Sequence, residues 1–197
     1  YLINNQFLEV IIAPSYDEEA IETFKKKENI RVISVENYKK NQLDFQIQAI
    51  DGGFLVQEDD NEILATNNLN VVTNKEPDEG QIKDLIFAWK VAKYVKSNAI
   101  IFARNLQTIG IGAGQMSRVN SAKIASLKAA ASNLDTKGAV MASDGFFPFS
   151  DSIQMASENK VKCIIQPGGS IKDQEVIDEA NKENISMVFT GMRHFRH

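Results

Sequence analysis

The sequence has few of the residues and segments that assign a protein to a specialised class. It contains one cysteine, which excludes an internal disulfide and fits a reducing cytoplasm. It contains two histidines, and no cysteines, histidines and acids cluster with the spacing of a zinc site, so no metal is expected. No apolar run approaches the roughly 18 residues of a membrane span, and the first residues have no signal-peptide pattern. We therefore expect a cytoplasmic location and no membrane partner.

Basic residues are also too few for a nucleic-acid-binding surface. The 22 lysines and arginines are outnumbered by 26 acidic residues, and the formal net charge is −4, whereas affinity for nucleic acid requires a basic patch. The 43% apolar and 24% charged content is that of an ordinary soluble globular protein. A chain of 197 residues can bury one good core, or two small ones that share an interface. Because it starts at Tyr1 without an initiator methionine, we expect a fragment of a longer protein.

The first 70 residues predict a short β-α-β unit followed by a weaker pattern. Strands are expected at residues 7–13, 31–35 and 54–56, and a helix at residues 17–27. The acidic stretch from Glu58 to Glu62 is interpreted as a solvated surface turn. The pattern changes near residue 70, so we expect a domain boundary that separates residues 1–70 from residues 71–197.

Beyond residue 70, strands and helices alternate regularly. The helices are expected at residues 81–96, 117–132, 151–158 and 170–184, and the strands at residues 99–103, 139–142, 161–166 and 186–190. This alternation is typical of an α/β fold with a mostly parallel sheet that is covered by helices. Trp89 lies on the apolar stripe of the first of these helices and is expected in the core.

Three glycines at alternate positions, Gly110, Gly112 and Gly114, precede Arg118 and a predicted helix. One interpretation is a cradle for an anion or a polar heterocycle, because glycines let a ligand approach the backbone and a helix N-terminus offers free N–H groups. The other is a bulge or close packing between strands. The spacing differs from the G-x-G-x-x-G fingerprint, so dinucleotide binding is not expected.

The unusual residues of the chain fall in four loops that each follow a predicted strand. These loops are residues 112–118, 143–149, 167–170 and 191–197. In open α/β sheets, ligands bind outside the carboxyl ends of the strands, so we expect one shared pocket. Arg193 is a natural clamp for a phosphate or carboxylate there. His194 and His197 lack a third metal ligand.

Two of these loops also allow simpler interpretations. The three phenylalanines around Pro148 can plug the core or clamp a flat heterocycle. Residues 167–170 can form part of the pocket, or only a turn in which Ser170 is the N-cap of the next helix. The chain has no G-x-S-x-G motif, and Cys163 lies within a predicted strand, so a covalent hydrolase is not expected.

The motifs in these loops resemble those of a known family. The segments that carry the resemblance are Lys96-Ser97-Asn98-Ala99-Ile100, residues 110–118 (GIGAGQMSR), residues 143–149 (SDGFFPF), residues 165–170 (IQPGGS) and the closing Arg193-His194-Phe195-Arg196-His197. They are similar to the C-terminal part of the bifunctional purine-biosynthesis proteins, which combine aminoimidazole carboxamide ribonucleotide (AICAR) formyltransferase with IMP cyclohydrolase. The resemblance is specific over residues 71–197 and looser before residue 70, where residues 9–14 carry it.

The resemblance implies an enzyme that transfers a formyl group from 10-formyltetrahydrofolate to the 5-amino group of AICAR in purine biosynthesis. Ring closure to IMP would occur in a separate N-terminal domain. The implied fold is a pair of cytidine-deaminase-like α/β subdomains without zinc, in a homodimer. Residues 1–70 would then be the end of the first, truncated formyltransferase subdomain, and residues 71–197 would be the second.

The resemblance also implies roles for individual residues. Asn98, as a catalytic residue, would hold the imidazole carboxamide together with Arg118 and Phe146, and Arg193 would contact the nucleotide phosphate. The residues that would border the folate are Val119, Pro148, Phe149, Ser152 and Ser170, although some relatives have asparagine at the position of Ser152. The family's Lys-His pair, which handles the amine proton, is expected upstream of Tyr1, so the fragment is expected to be inactive alone. The alternative is a nucleotide-binding α/β module with no chemistry of its own.

Overall fold

The computed structural model describes residues 7–36, 45–62, 64 and 69–196. The chain divides into two compact units, residues 1–59 and residues 60–197, and each is described separately. This division falls before the boundary that we expected near residue 70. The assignment of the two parts of the chain to formyltransferase subdomains stays a prediction.

The first unit contains the expected β-α-β arrangement and a hairpin. Its elements are β1 (Val10–Ala13), α1 (Glu18–Phe24), β2 (Arg31–Ser34), β3 (Phe45–Ile50) and β4 (Gly53–Glu58). β1 and β2 are parallel, and β3 pairs with β4 in antiparallel register. Asp17 begins α1 as its N-cap, because its carboxylate accepts the backbone N–H of Ala20 at 2.7 Å. None of the residues described in this unit is buried.

The second unit is built on a six-stranded sheet. Its elements are β5 (Asn70–Val71), α2 (Glu79–Lys93), β6 (Ile100–Arg104), β7 (Gln107–Gly112), α3 (Arg118–Ala131), β8 (Val140–Ser143), α4 (Asp151–Glu158), β9 (Cys163–Gln166), α5 (Asp173–Lys182) and β10 (Ser186–Phe189). The strand order is β5-β10-β9-β8-β6-β7. β8, β9 and β10 are parallel, whereas β5, β6 and β7 are each antiparallel to a neighbour. The expected α/β class is confirmed, with parallel strands at the centre of a mixed sheet.

Alternate residues of the central strands pack on opposite faces of this sheet, as the two-residue period of a strand requires. On one face, Phe102, Met141 and Ile164 belong to a core with α3, α4 and α5. On the other face, Val140 and Ile165 belong to a core with α2. Both faces are therefore covered by helices, which explains why the central strands carry apolar residues on both faces.

Two of the three alternating glycines serve close packing between β7 and α3. A Cβ atom on Gly110 would lie 2.1 Å from the carbonyl oxygen of Ala125, and one on Gly112 would lie 1.8 Å from that of Ser121. The backbone of α3 therefore touches the strand directly at both positions. Of the three glycines, only Gly114 has a positive φ, of 65°. Gly110 and Gly112 thus serve close packing, but between a strand and a helix rather than between strands as expected.

Two helices begin at residues other than those predicted from the sequence. α2 begins earlier than expected, because Asp78 and Gln81 form a capping box in which each side chain accepts the backbone N–H of the other residue. The prediction that Ser170 is an N-cap is wrong, since α5 begins at Asp173 after Lys172. The hydroxyl of Ser170 accepts the N–H of Lys172 within the preceding turn. The predicted core position of Trp89 is confirmed by its 1% exposure.

Candidate functional site

The four loops singled out in the sequence leave the sheet at one edge. β8, β9 and β10 run in the same direction. β7 also runs in this direction, because β7 and β8 are both antiparallel to β6. The carboxyl ends of these four strands therefore point the same way. The loops that follow them are residues 113–117, 144–150, 167–172 and 190–196.

Hydrogen bonds join these loops to one another. The Arg118 Nε donates to Ser143 Oγ at 3.1 Å, which connects the start of α3 to the end of β8. The backbone N–H of His194 donates to the carbonyl oxygen of Asp144 at 3.1 Å. The N–H of Gly191 donates to the carbonyl oxygen of Pro167, also at 3.1 Å. The structure thus brings the four loops together, as their positions after the strands suggested.

A cleft of about 270 Å³ opens between the N-termini of α3 and α4. Its lining residues are Asn98, Met116, Ser117, Arg118, Val119, Pro148, Phe149, Asp151 and Ser152. Six of the nine site residues named from the sequence, namely Asn98, Arg118, Val119, Pro148, Phe149 and Ser152, are among them. Phe146, Ser170 and Arg193 are outside this lining.

Hydrogen bonds of both its side chain and its backbone hold Asn98 in place. Its Nδ2 donates to the carbonyl oxygen of Gln115 at 2.8 Å, and its carbonyl oxygen accepts the hydroxyl of Ser121 at 2.7 Å. The amide oxygen of Asn98 has no hydrogen bond among the described residues. That oxygen can therefore accept a hydrogen bond from a ligand, such as the amino group of a carboxamide.

Arg118 carries the positive charge of the cleft. Its Nη2 lies 3.2 Å from Asp144 Oδ1, and the Asp144 side chain is completely buried. Burial lowers the pKa of Arg118 from its ordinary value by desolvation, while the carboxylate of Asp144 acts in the opposite direction. The group remains charged, because a guanidinium is not deprotonated in proteins. Asp144 Oδ2 has no hydrogen-bond partner among the described residues.

The phenylalanine loop has one ring in the core, as the first interpretation predicted, and another at the cleft. Phe147 is completely buried and belongs to the core of α3, α4 and α5. Phe149 is 52% exposed and lines the cleft, and the Lys172 Nζ lies 4.9 Å from its ring centroid. Phe146, which directly precedes Phe147, is half-buried. One ring of this loop therefore anchors it while another is available for stacking on a planar ligand.

The C-terminal segment, residues 191–196, passes beside the cleft. A Cβ atom on Gly145 would lie 2.0 Å from Arg118 Nη2 and 3.2 Å from Phe195 Cε1, so both side chains reach the same point above this glycine. The Arg193 guanidinium is exposed and lies 5.1 Å from the Phe195 ring centroid. This series of contacts places Arg193 on the same side of the molecule as Arg118. His197 lies outside the described residues.

Sequence reasoning missed several residues around the cleft. Met116, Ser117 and Asp151 line it, and they lie within or next to the quoted motifs GIGAGQMSR and SDGFFPF. The interpretation of residues 58–62 as a solvated turn is wrong for Asp60. Its Oδ2 lies 2.6 Å from the His194 Nδ1, and its Oδ1 lies 3.6 Å from the Lys93 Nζ. No local pattern in the sequence connects Asp60 with a histidine more than a hundred residues away.

The described residues offer few other reactive groups. Burial raises the pKa of the Cys163 thiol to about 11, so the thiol is not an activated nucleophile. Among the described residues no three histidines, cysteines or acids are grouped so that they could hold a metal ion. In the same residues, no helix is long and apolar enough to cross a membrane.

Comparison with known proteins gives one family match. A family model described as the AICARFT/IMPCHase bienzyme matches residues 1–128, which is more than half of the chain. Among solved structures, the chain is similar to a diaminohydroxyphosphoribosylaminopyrimidine deaminase/5-amino-6-(5-phosphoribosylamino)uracil reductase from Thermotoga maritima, with 13% sequence identity and a TM-score of 0.40. That match covers 56% of this chain and 35% of the other protein.

Proposed function

Because the chain belongs to the AICARFT/IMPCHase bienzyme family, we propose that it is part of the AICAR formyltransferase half and holds the substrates of that reaction. The family acts in purine biosynthesis, and the proposal concerns which of its two activities this chain serves. In the reaction, the 5-amino nitrogen of AICAR attacks the formyl carbon of 10-formyltetrahydrofolate. The bond between that carbon and N10 breaks, the amine loses a proton, and tetrahydrofolate leaves with a proton on N10.

The observation that carries this proposal is the composition of the cleft. Asn98, Arg118 and Phe149 come from three segments that are distant in the sequence, and all of them line one opening. An amide, a guanidinium and an exposed ring together suit a ligand with a carboxamide, an anionic group and a planar heterocycle. AICAR and a reduced folate both have such groups.

Within this proposal, Asn98, Arg118 and Phe146 hold the imidazole carboxamide, and Arg193 binds the phosphate. The residues proposed to border the folate are Val119, Pro148, Phe149, Ser152 and Ser170. The Lys172 ammonium beside the Phe149 ring supports a folate position there, because folates end in carboxylates. The homodimer and the cytoplasmic location implied by the family resemblance belong to the same proposal.

The residues of this chain supply positioning rather than proton transfer. The amine of AICAR is a weak nucleophile, since its lone pair is delocalised into the ring and the carboxamide, so the reaction needs a general base. No Lys-His dipeptide occurs in the 197 residues. What the cleft contributes is the alignment of the amine with the formyl carbon, which lowers the entropic part of the barrier.

Isothermal calorimetry with AICAR, followed by a non-reactive folate analogue, tests this function. Asn98→Ala should weaken AICAR binding about 10-fold, the usual effect of one lost hydrogen bond of this kind, and Phe149→Ala should weaken the folate analogue. Lys123→Ala, which removes an exposed cation of α3 outside the cleft lining, should change neither affinity. Unchanged AICAR affinity in a folded Asn98→Ala protein would contradict the proposal.

The second candidate is the alternative that the sequence left open, a nucleotide-binding module without chemistry of its own. The same titrations separate the two functions. A module of this kind would bind purine nucleotides with similar affinities, and the folate analogue would neither bind nor change nucleotide affinity. A folate site that depends on Phe149 would favour the formyltransferase.

A further inference from the structure

The C-terminal segment has one buried side chain among exposed ones. The His194 side chain is 3% exposed, whereas its neighbours Arg193 and Phe195 are exposed. The ring centroid of His194 lies 4.9 Å from that of Trp89, with 46° between the two planes. The His194 Nδ1 lies 2.6 Å from Asp60 Oδ2. The His194 ring is thus a buried side-chain anchor of this segment.

The partners of this ring are themselves fixed. Trp89 belongs to α2 and is 1% exposed in the core on that face of the sheet. Asp60 also faces Lys93 of α2 at 3.6 Å, and the Lys93 Nζ donates to the carbonyl oxygen of Glu62 at 2.9 Å. The His194 side chain therefore reaches the face of the sheet covered by α2, which is opposite the face covered by α3 and α4.

The backbone around this ring is joined to the site. The N–H of His194 donates to the carbonyl oxygen of Asp144, the residue whose carboxylate pairs with Arg118. Two residues later, Arg196 and Ser97 exchange hydrogen bonds, because Ser97 N–H donates to Arg196 O at 2.8 Å and Arg196 N–H donates to Ser97 Oγ at 3.1 Å. Ser97 directly precedes Asn98. Both backbone attachments lead to residues that shape the cleft.

From this geometry we propose that His194 is a positioning residue for ligand binding. Held by Trp89 and Asp60, it determines where the C-terminal segment lies, so that the Arg193 guanidinium is presented to the anionic group of the ligand. An exposed segment without such an attachment opens locally at little cost, and a guanidinium on a mobile segment loses its preorganisation. The ligand assignment in this inference rests on the proposed function, in which Arg193 binds the phosphate of AICAR.

Two ligands that differ only in the phosphate test the inference. Calorimetry of the full chain compares AICAR with its ribonucleoside, which lacks the phosphate. His194→Ala should weaken AICAR about 10-fold, and the ribonucleoside by less than about 2-fold. Arg193→Ala should have the same pattern, and the double variant should bind AICAR no more weakly than Arg193→Ala alone, because both changes remove one interaction.

Two further variants separate positioning from general packing. His194→Asn keeps a nitrogen donor for Asp60 and should recover part of the AICAR affinity. Lys90→Ala removes an exposed cation next to Trp89 and should have no effect. If His194→Ala weakens both ligands equally, or if the losses in the double variant add, the inference is overturned.

Hydrogen exchange provides a readout that needs no ligand. His194→Ala should accelerate exchange at the amides of residues 193–196, while the amides of β8, β9 and α3 keep their protection. If the wild-type chain does not bind AICAR, the proposed function fails. The hydrogen-exchange rates of His194→Ala then test by themselves whether His194 anchors the C-terminal segment. Unchanged amide exchange over residues 193–196 in His194→Ala would overturn the role of His194 as an anchor.

Discussion

Adding one methyl group to β7 should have a large effect on the stability of the second unit. In Gly112→Ala, the new Cβ atom would lie 1.8 Å from the carbonyl oxygen of Ser121 and 2.5 Å from its carbonyl carbon. Such contacts are essentially never shorter than 3.0 Å, so the backbone of α3 must move away by more than about 1 Å. Backbone atoms of a helix cannot rotate aside as the end of a side chain can.

The magnitude follows from what α3 packs against. The helix places Ala122, Ala125 and Ala129 in the core, and a rigid shift opens gaps beneath these small side chains. Overpacking in cores costs typically 1–3 kcal/mol, and the obstacle here is backbone, so we expect a loss of about 3 kcal/mol. For a domain with a stability of about 5–15 kcal/mol, this is a substantial fraction.

Urea unfolding followed by the fluorescence of Trp89 measures this loss, because the only tryptophan of the chain is buried in the same unit. The control is Gly80→Ala in α2, where the nearest atom to the added Cβ is a side-chain oxygen of Asp78 at 3.2 Å. That variant should remain within about 1 kcal/mol of the wild type, since alanine also favours a helix. A Gly112→Ala stability within about 0.5 kcal/mol of the wild type would refute the reasoning.

Three further changes test other parts of the second unit. Arg118→Met leaves the buried carboxylate of Asp144 without its cation, which should lower the unfolding free energy by about 3 kcal/mol in the same urea titration. Ser117→Ala removes the N-cap that accepts the N–H of Asn120 and should cost about 1 kcal/mol. The Cys163 thiol, whose pKa burial raises to about 11, should resist iodoacetamide in the native protein at pH 8. Since the unfolded thiol ionises first, its contribution to stability should decline as the pH rises from about 9 towards 11.

Each of these outcomes has a matched control. Arg118→Met combined with Asp144→Asn should recover part of the lost stability, and no recovery would mean that the loss arises from packing. Ser117→Asp keeps a capping oxygen and should remain close to the wild type. Rapid alkylation of Cys163 in the native state, at a rate independent of urea, would contradict its burial.

Local patterns predicted most elements of the second unit. The helix expected at residues 151–158 has these bounds in the structure, and the helix expected at residues 117–132 differs by one residue at each end. These helices have a clear apolar stripe or an N-cap serine. The prediction for Ser170 is wrong because a serine and an acid three residues apart also occur in turns, where the serine hydroxyl accepts a nearer N–H.

The hairpin of the first unit was only partly predicted. β4 was expected, but β3 was not, although its apolar and polar residues alternate in part of Phe45–Ile50. The side chains of β3 are exposed on both faces of the hairpin, so the usual contrast between a buried and a solvated face is absent.

The candidate site could be predicted as a set of loops but not as a set of contacts. The order of strands and helices indicated which loops meet, because parallel strands end at one edge of a sheet. The pairing of Asp60 with His194 depends on the path of the chain between them, which no short pattern encodes. The same holds for Gly112, whose role depends on the distance between a strand and a helix.

Asp144 restricts how this protein can change over time. Its carboxylate holds a cation of α3 and its carbonyl oxygen holds the C-terminal segment, while the residue itself begins the phenylalanine loop. A substitution there alters three segments simultaneously, so ligand preference and folding cannot be adjusted independently at this position. Adaptation to a different ligand is more accessible at the periphery, through residues such as Met116 and Phe149, whose side chains are exposed.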